Sequence, residues 1–193
     1  NSYFRIGCDE VRRVDTVPFG CFRREVFDKV GLYDTELVRN QDDELNGRIV
    51  KNGGKIYLIP SIVTKYYARD KIGKVRKMFY QYGLYKPLVN KKLGAPATIR
   101  QFFPLAFVLG LIFGAVLGWM HWIIALLYAI VLVLYLLLSC WFTFKSIAKT
   151  GNWRLIAYQP IIYLTVHLSY GWGYFVGIYK VMMHKPFNAE SNR

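Results

Sequence analysis

Residues 102–144 have the sequence FFPLAFVLGLIFGAVLGWMHWIIALLYAIVLVLYLLLSCWFTF, which contains no Lys, Arg, Asp or Glu. A charged side chain at the centre of a bilayer costs at least ~2.5 kcal/mol, so charges are rare in segments that cross membranes. A second charge-free run covers Leu155–Tyr179. Because the chain has a formal net charge of +14, these runs indicate a membrane protein whose cationic part lies outside the lipid.

Three membrane spans are predicted, at about residues 102–118, 123–144 and 155–179. The first two have lengths close to the ~20 residues that a bilayer requires, and only four residues separate them, which predicts a tight helical hairpin. The third run is followed by a basic tail, which conflicts with the preference for positive charge on the cytoplasmic side if the run crosses fully. Three full spans are the prediction, and a helix bent near Gly171–Gly173 stays the alternative.

Two of the predicted spans carry a small residue at every fourth position. These are Gly110, Gly114 and Gly118 in the first span and Ser169, Gly173 and Gly177 in the third. Such spacing lets helix backbones approach closely in lipid. We predict that the two stripes face each other or face another subunit of an oligomer, and a substrate groove is the alternative.

The positive charge is concentrated next to the first span. Residues 1–64 contain ten basic and ten acidic residues, whereas residues 65–100 contain ten basic residues and one acidic residue, Asp70. A basic cluster beside a span is attracted to anionic lipid headgroups by about 1 kcal/mol per side chain. It also marks the cytoplasmic side. We therefore expect anionic lipids rather than nucleic acid as partners, in a multi-pass protein of the cell inner membrane with residues 1–64 in the cytoplasm.

Three regions are predicted. Residues 1–68 form an α/β piece with helices over about Arg23–Val30 and Gln41–Lys51, the second capped by Asn40, and a strand over Lys55–Ile59. Residues 69–100 form a basic amphipathic segment, with a helix over Asp70–Lys86 that ends before Pro87 and lies at the membrane surface. Residues 101–193 hold the spans. The apolar face of the surface helix is predicted to be Ile72, Val75, Phe79 and Tyr82.

Three carboxylates, Asp42, Asp43 and Glu44, occupy the first turn of the second predicted helix. Carboxylates at this position complement the positive end of a helix by about 0.3 to 1 kcal/mol each. One of them could also serve as a general base that deprotonates a hydroxyl nucleophile. Spacing alone leaves both interpretations open.

Several segments resemble the second half of a family 2 glycosyltransferase catalytic domain, which has the GT-A fold. The closest likeness is to membrane-attached enzymes of succinoglycan-type exopolysaccharide assembly, and it covers about residues 1–90. The segments that carry it are Val17-Pro18-Phe19-Gly20-Cys21-Phe22-Arg23-Arg24-Glu25-Val26-Phe27, Val30-Gly31-Leu32-Tyr33-Asp34, Gln41-Asp42-Asp43-Glu44-Leu45-Asn46 with Arg48, Gly54-Lys55-Ile56-Tyr57-Leu58-Ile59-Pro60, Tyr66-Tyr67-Ala68-Arg69 and Gln81-Tyr82-Gly83-Leu84-Tyr85-Lys86.

The resemblance implies a role for the acidic residues. In such enzymes a Glu-Asp pair supplies the base for the acceptor hydroxyl; here Gln41 replaces the Glu, and Asp42 matches the Asp. Asp42 is accordingly the predicted base and Asp43 the alternative. Glu44 is predicted to orient the acceptor or to cap the helix.

The resemblance also implies a set of substrate-binding residues. Gly20 matches a glycine near the bound sugars or makes a tight turn, and Arg23 could contact phosphate or be an ordinary surface residue. Three further residues lie where related enzymes place a Gln-x-x-Arg-Trp motif near the diphosphate: Arg69, Arg76 and Gln81. That motif is absent as such, which favours a single sugar transfer over processive synthesis.

The donor half of such an enzyme carries an Asp-x-Asp metal motif, and these 193 residues contain none. We therefore expect Mg²⁺ or Mn²⁺ to serve the full-length enzyme, this chain to bind no metal, and the chain to be a piece that is inactive alone. The implied substrates are a nucleotide-sugar donor and a polyprenyl-linked acceptor. The fold class expected is the C-terminal half of a GT-A domain, then an interfacial helix and about three spans. The alternative function is a non-catalytic membrane anchor or partner subunit.

Overall fold

The computed structural model describes residues 9–17, 19–65, 67–96 and 98–187. The structure of these residues is mostly helical. The elements in chain order are strand β1 (Arg12–Val14), helices α1 (Arg24–Val30) and α2 (Gln41–Lys51), strand β2 (Ile56–Leu58), helix α3 (Ile72–Leu93), a 3-10 turn (Ile99–Phe102), and helices α4 (Phe103–Met120), α5 (Trp122–Thr150) and α6 (Leu155–Met182).

The first part of the chain combines a two-stranded antiparallel sheet with α1 and α2. Strand β1 pairs with β2 so that Arg13 lies opposite Tyr57. Leu45 and Ile49 of α2 and Ile56 of β2 form a buried cluster. The predicted bounds of α2 are confirmed. Among the described residues the sheet has only these two strands, so the structure confirms helices with a small sheet and not the larger sheet of a GT-A half-domain.

Asn40 is the N-cap residue of α2, as predicted, but its side chain does not cap the helix. Its backbone is left-handed, with φ of 61°, and its side chain makes no cap hydrogen bond. The amide instead donates to the backbone carbonyl of Tyr82 in α3, at 3.0 Å. Asn is one of the few residues that adopt this conformation at low cost, and a buried amide requires a partner. A contact with a distant helix therefore replaces the local cap.

The predicted end of α3 before Pro87 is wrong. The helix continues to Leu93 and ends at Gly94, whose φ of 75° is left-handed. Pro87 is buried and faces Gly177 of α6. Proline in a helix interior loses one backbone hydrogen bond, and here the packing of α3 against α6 offsets that cost.

The predicted apolar face of α3 is not the face that packs inside the protein, and its contact with the membrane stays a prediction. Ile72, at its start, is 44% exposed. The side chains buried along α3 lie further along and on a different face, because this half of the helix is covered by the chain before α2 on one side and by α6 on the other. They are Met78, Gln81, Leu84, Tyr85, Leu88 and Val89.

Helices α4 and α5 form the predicted tight hairpin, and His121 alone separates them. Helices α4 (with the 3-10 turn before it), α5 and α6 are each long and apolar enough to cross a membrane. The predicted pairing of the two small-residue stripes is wrong, because α4 places Gly114 and Gly118 against α5. Gly173 and Gly177 of α6 instead meet the backbone of α3.

Candidate active site

The start of α2 is held by the segment before it, which docks on α3. Leu37 is fully buried in a cluster with Leu84 and Val89 of α3. The ammonium of Lys92, near the end of α3, lies 2.7 Å from a carboxylate oxygen of Asp34. It also lies 2.6 Å from a carboxylate oxygen of Glu36. The first turn of α2 with its three carboxylates (the acidic turn, residues 42–44) is therefore held against α3, although the two are distant in sequence.

Asp43 is tied by two side chains. Its Oδ2 lies 2.7 Å from the ammonium of Lys86 in α3. Its Oδ1 accepts a hydrogen bond from the Thr16 hydroxyl at 3.3 Å. Thr16 in turn accepts a hydrogen bond from the amide of Asn46 at 2.7 Å, so the segment after β1 meets α2 and α3 at this carboxylate.

Asp42 is in a different situation from its neighbour. Its side chain is exposed and has no hydrogen bond or ion pair with another side chain among the described residues. Enough protein surrounds the carboxyl that desolvation raises its pKa, and the charge of Asp43 raises it further. Lys86 and nearby backbone N–H groups oppose this rise. Asp42 is therefore an accessible carboxylate that accepts a proton more readily than an ordinary aspartate.

Glu44 points away from Asp42 into the interior. It is 3% exposed, and its carboxylate pairs with both Nε and Nη2 of Arg48, at 2.6 and 2.8 Å. Arg48 also donates to the carbonyl of Val30, the last residue of α1, and to that of Leu32 just after the helix. In this structure Glu44 holds α2 to the end of α1 through Arg48.

The other predicted site residues are only partly brought together. Gln81 is buried beneath the segment before α2, where its amide oxygen accepts a hydrogen bond from Arg39 Nε at 3.0 Å. Arg23, Arg69 and Arg76 are exposed. Gly20 lies close to the ring of Phe22, since a Cβ there would be 2.5 Å from it.

Sequence reasoning missed Lys86, Thr16 and Arg39. Lys86 lies 43 residues after Asp43, and Thr16 lies 27 residues before it, so no local spacing connects them. Lys86 does belong to the 81–86 segment that carries part of the family resemblance, and that was the available signal. Arg39 has none beyond its charge.

The described residues contain no group of three or more His, Cys, Asp or Glu side chains that could hold a metal ion. The acidic turn does not form one, because Glu44 is occupied by Arg48 and Asp43 by Lys86.

The acidic turn lies beside an apolar helix. The carboxylate of Asp43 is close enough to Tyr170 of α6 to act on it electrostatically. Tyr170 also contacts α3 through its backbone, which lies against Gly83. The acidic turn therefore lies against α3, with Asp43 near Tyr170 of α6.

Curated relatives of the chain include two proteins with informative names. The dolichyl N-acetyl-alpha-D-glucosaminyl phosphate 3-beta-D-2,3-diacetamido-2,3-dideoxy-beta-D-glucuronosyltransferase of Methanococcus voltae is 28% identical over 167 residues, which are 86% of this chain and 48% of that protein. The succinoglycan biosynthesis protein ExoA of Rhizobium meliloti (strain 1021) is 34% identical over 100 residues, 52% of this chain and 30% of that protein.

The chain thus spans about half or less of the length of these relatives. No family model and no solved structure matches it. The similarity to the Methanococcus protein extends over both the acidic turn and the apolar helices, because it covers 86% of the chain. The resemblance predicted from the sequence is confirmed, since both relatives are of the family 2 glycosyltransferase type.

Proposed function

We propose that this chain carries the acceptor half of a GT-A glycosyltransferase in surface or exopolysaccharide synthesis. The enzyme would move a sugar from a nucleotide-sugar donor to a lipid-linked acceptor. The observation that carries the proposal is the accessible carboxylate of Asp42, whose neighbour Asp43 is paired with Lys86 of α3 and acts electrostatically on Tyr170 of α6. The names of the relatives support the reaction class, because one acts on a dolichyl-linked sugar phosphate and the other belongs to succinoglycan biosynthesis.

In the proposed step, Asp42 takes the proton from a hydroxyl of the acceptor. The hydroxyl oxygen bonds to the anomeric carbon of the donor sugar while the bond from that carbon to the diphosphate breaks. The nucleoside diphosphate leaves with the bonding electron pair, and attack from the opposite face inverts the anomeric centre. A general base in this position typically accelerates such a reaction by 10² to 10⁴-fold, an order-of-magnitude figure.

The neighbouring residues support Asp42 as the base. Both carboxylate oxygens of Asp43 are already in contact with Lys86 and Thr16, so it stays the alternative base. Among the predicted substrate-binding residues, Gln81 would position the segment before α2 through Arg39. Glu44 would act through the α2–α1 contact. Roles for Gly20, Arg23, Arg69 and Arg76 in binding the substrates remain proposals from the resemblance.

The setting is proposed to be the cytoplasmic face of the inner membrane. Nucleotide sugars are made in the cytoplasm, and the basic residues before α4 are typical of that side. Anionic lipids would bind these residues, and oligomerisation stays a proposal. Mg²⁺ or Mn²⁺ would neutralise charge on the departing diphosphate when it is bound, and no step described here depends on it.

The test is a transfer assay on the natural full-length protein in membranes. Membranes are supplied with a panel of radiolabelled UDP-sugars and a polyprenyl-linked sugar phosphate, and the lipid fraction is extracted. We expect label to enter the lipid fraction with at least one donor, above membranes that lack the protein. A protein that is present in the membrane but transfers none of the sugars would contradict the enzyme and favour the anchor role.

A further inference from the structure

The tip and the opposite end of the α4–α5 hairpin lie at different depths in the membrane. The helices are antiparallel, with Gly118 against Ala125 near the tip and Phe107 stacked on Tyr135, at a centroid distance of 4.6 Å, near the other end. We call the end with the start of α4 and the end of α5 the base of the hairpin. Since Phe107 is four residues into α4, it lies only about 6 Å above the start of that helix.

The hydrogen bonds and ring contacts between α6 and the hairpin lie no farther from its base than the level of Phe107. Gln159 donates to the hydroxyl of Ser146, in the last turns of α5, at 2.9 Å. His167 then reaches the level of Phe107, where its Nδ1 lies 2.9 Å from the Tyr135 hydroxyl. From Gln159 to His167, α6 therefore runs from the end of α5 towards the hairpin tip as far as the level of Phe107.

Beyond His167, the partners of α6 stay within the first turns of α4 and the residue before it. Gly171 meets the carbonyl of Pro104 and the side chain of Val108, and the ring of Tyr174 packs on Phe102, with centroids 5.6 Å apart. A helix that rose beside α4 towards the tip would meet later residues of α4 in this stretch. Instead α6 passes across the base of the hairpin.

The last turns of α6 lie against the part of the chain that carries the acidic turn. Val176 and Val181 pack on the buried cluster that contains Leu37. The Tyr85 hydroxyl of α3 donates to the carbonyl of Phe187, five residues after α6 ends, at 3.0 Å. Both ends of α6 are therefore on the base side of the hairpin.

We propose that α6 does not cross the bilayer but lies in the headgroup region on the side of the acidic turn, so that among the described residues the chain crosses only twice. Its surface partner is the lipid bilayer itself. An exposed aromatic stripe of Trp172, Phe175 and Tyr179, spaced three and four residues apart, faces away from α3. Such rings are enriched at membrane interfaces, and an interfacial helix inserts its apolar face about 5–10 Å, which matches the level of Phe107.

This placement removes the charge conflict of a third span. Lys180 and Lys185 follow the stripe, and in a crossing helix they would lie on the side opposite Lys145, Lys149 and Arg154. With α6 at the surface, all five lie on one side together with the basic start of α3. The distribution then agrees with the preference for positive charge on the cytoplasmic side.

Single-cysteine labelling in cells tests this placement and does not depend on sugar transfer. In the full-length protein with Cys8, Cys21 and Cys140 changed to Ser, three exposed positions are probed with a membrane-impermeant maleimide before and after permeabilisation. The substitutions are Asp28→Cys in α1, Met120→Cys at the hairpin tip and Met183→Cys after α6. We expect Met183→Cys to react on the same side as Asp28→Cys and on the side opposite Met120→Cys. If Met183→Cys instead reacts with the maleimide on the same side as Met120→Cys, the proposal is overturned.

A second measurement covers the case in which a cysteine variant misfolds. Green fluorescent protein is fused after Phe187 of the otherwise natural sequence, because it fluoresces in the bacterial cytoplasm but not after export through the general secretion channel. A fusion after Met120 is the matched control. We expect fluorescent membranes from the first fusion and dark membranes, at equal protein amount, from the second. A dark fusion after Phe187 would contradict a surface position for α6.

Discussion

Gly83 of α3 lies so close to Tyr170 of α6 that a Cβ atom on Gly83 would be 2.1 Å from the tyrosine carbonyl oxygen. No real Cβ–oxygen contact is this short, so only glycine lets the two backbones meet here. Gly173 makes the reciprocal approach to the carbonyl of Tyr80. These contacts hold α6 against α3, and α3 carries Lys86, the partner of the acidic turn.

Gly83→Ala should separate α3 from α6. The methyl group would meet backbone rather than a flexible side chain, and overpacking typically costs about 1–3 kcal/mol. The expected result is a lower thermal unfolding midpoint of the detergent-solubilised protein. Gly73→Ala is the matched control in the same helix, since nothing lies within 4 Å of its Cβ position, and it should be neutral or stabilising. Equal midpoints for the two variants would contradict the close packing.

Glu44→Gln should destabilise the protein although it conserves shape. The change leaves the Arg48 guanidinium without its carboxylate, and breaking a buried ion pair costs about 3 kcal/mol or more. Asp70→Asn is the matched control, because Asp70 and Lys74 also form an ion pair four residues apart but are exposed. This change should have no measurable effect on stability. Thermal unfolding compares them. A Glu44→Gln variant as stable as Asp70→Asn would show that Glu44 does not hold α2 in place.

Asp42→Asn should stabilise the protein at pH 7. Desolvation raises the pKa of Asp42 above 3.8 in the folded state, so the ionised carboxylate weakens folding at every pH above its folded pKa. The variant should therefore unfold at a higher temperature than the natural protein at pH 7, and the difference should vanish as the pH falls below about 3.8. A variant that is less stable than the natural protein at pH 7 would show that the ionised carboxylate of Asp42 does not destabilise the folded state.

Asp34→Asn is the matched variant with the opposite sign. Partial burial acts to raise the pKa of Asp34, but the hydrogen bond and charge of Lys92 outweigh it and lower the pKa. This carboxylate therefore stabilises the folded state above its unfolded pKa of about 3.8, and that contribution is lost as the pH falls through the lower folded pKa. Asp34→Asn should unfold at a lower temperature at pH 7, with the difference shrinking in acid.

Lys86→Met should raise the pKa of Asp42 further. Lys86 is the cation of α3 that opposes the rise, and Asp43 of the same turn adds to it. Among the described residues, three other titratable groups lie near the turn. Glu44 is paired with Arg48, Tyr170 approaches from α6, and Asp15 lies beside Thr16 in the segment after β1. Carbodiimides modify protonated carboxyls, so mass spectrometry of the peptide containing Asp42 against pH gives the midpoint.

The midpoint for Asp42 should move to higher pH in Lys86→Met and stay near its natural value in Lys86→Arg, which keeps the charge. Equal midpoints in the natural protein and Lys86→Met would show that Lys86 does not act on Asp42. This readout involves no substrate, so it separates the electrostatics of the turn from the proposed sugar transfer.

Local signals in the sequence were sufficient for α2 and for the hairpin. Asp42–Glu44 followed by Leu45 and Ile49 has the acidic first turn and apolar spacing of a helix. The two uncharged runs on either side of His121 are separated by so few residues that only a tight turn can connect them. The identity of the acidic turn as a candidate site followed from the same segment. In each case the deciding interactions are between residues a few positions apart.

The predictions that failed depend on contacts between distant parts of the chain. Continuation of α3 past Pro87 depends on α6, and the side chain of Asn40 is directed by a carbonyl of α3. The glycines of α6 have the spacing of a helix-pairing stripe, but spacing does not say which helix they meet. The pairing of Lys86 with Asp43 joins residues 43 positions apart, which no periodicity could reveal.

The central claim is that Asp42 removes the proton from a hydroxyl of a lipid-borne acceptor. Its most direct test is the rate at which the full-length Asp42→Asn variant transfers labelled sugar into the lipid fraction, compared with the natural protein and Asp43→Asn at equal amounts in membranes. Loss of the base predicts a rate at least about 100-fold below that of the natural protein, and a smaller loss for Asp43→Asn. Transfer by Asp42→Asn at the natural rate would contradict the claim.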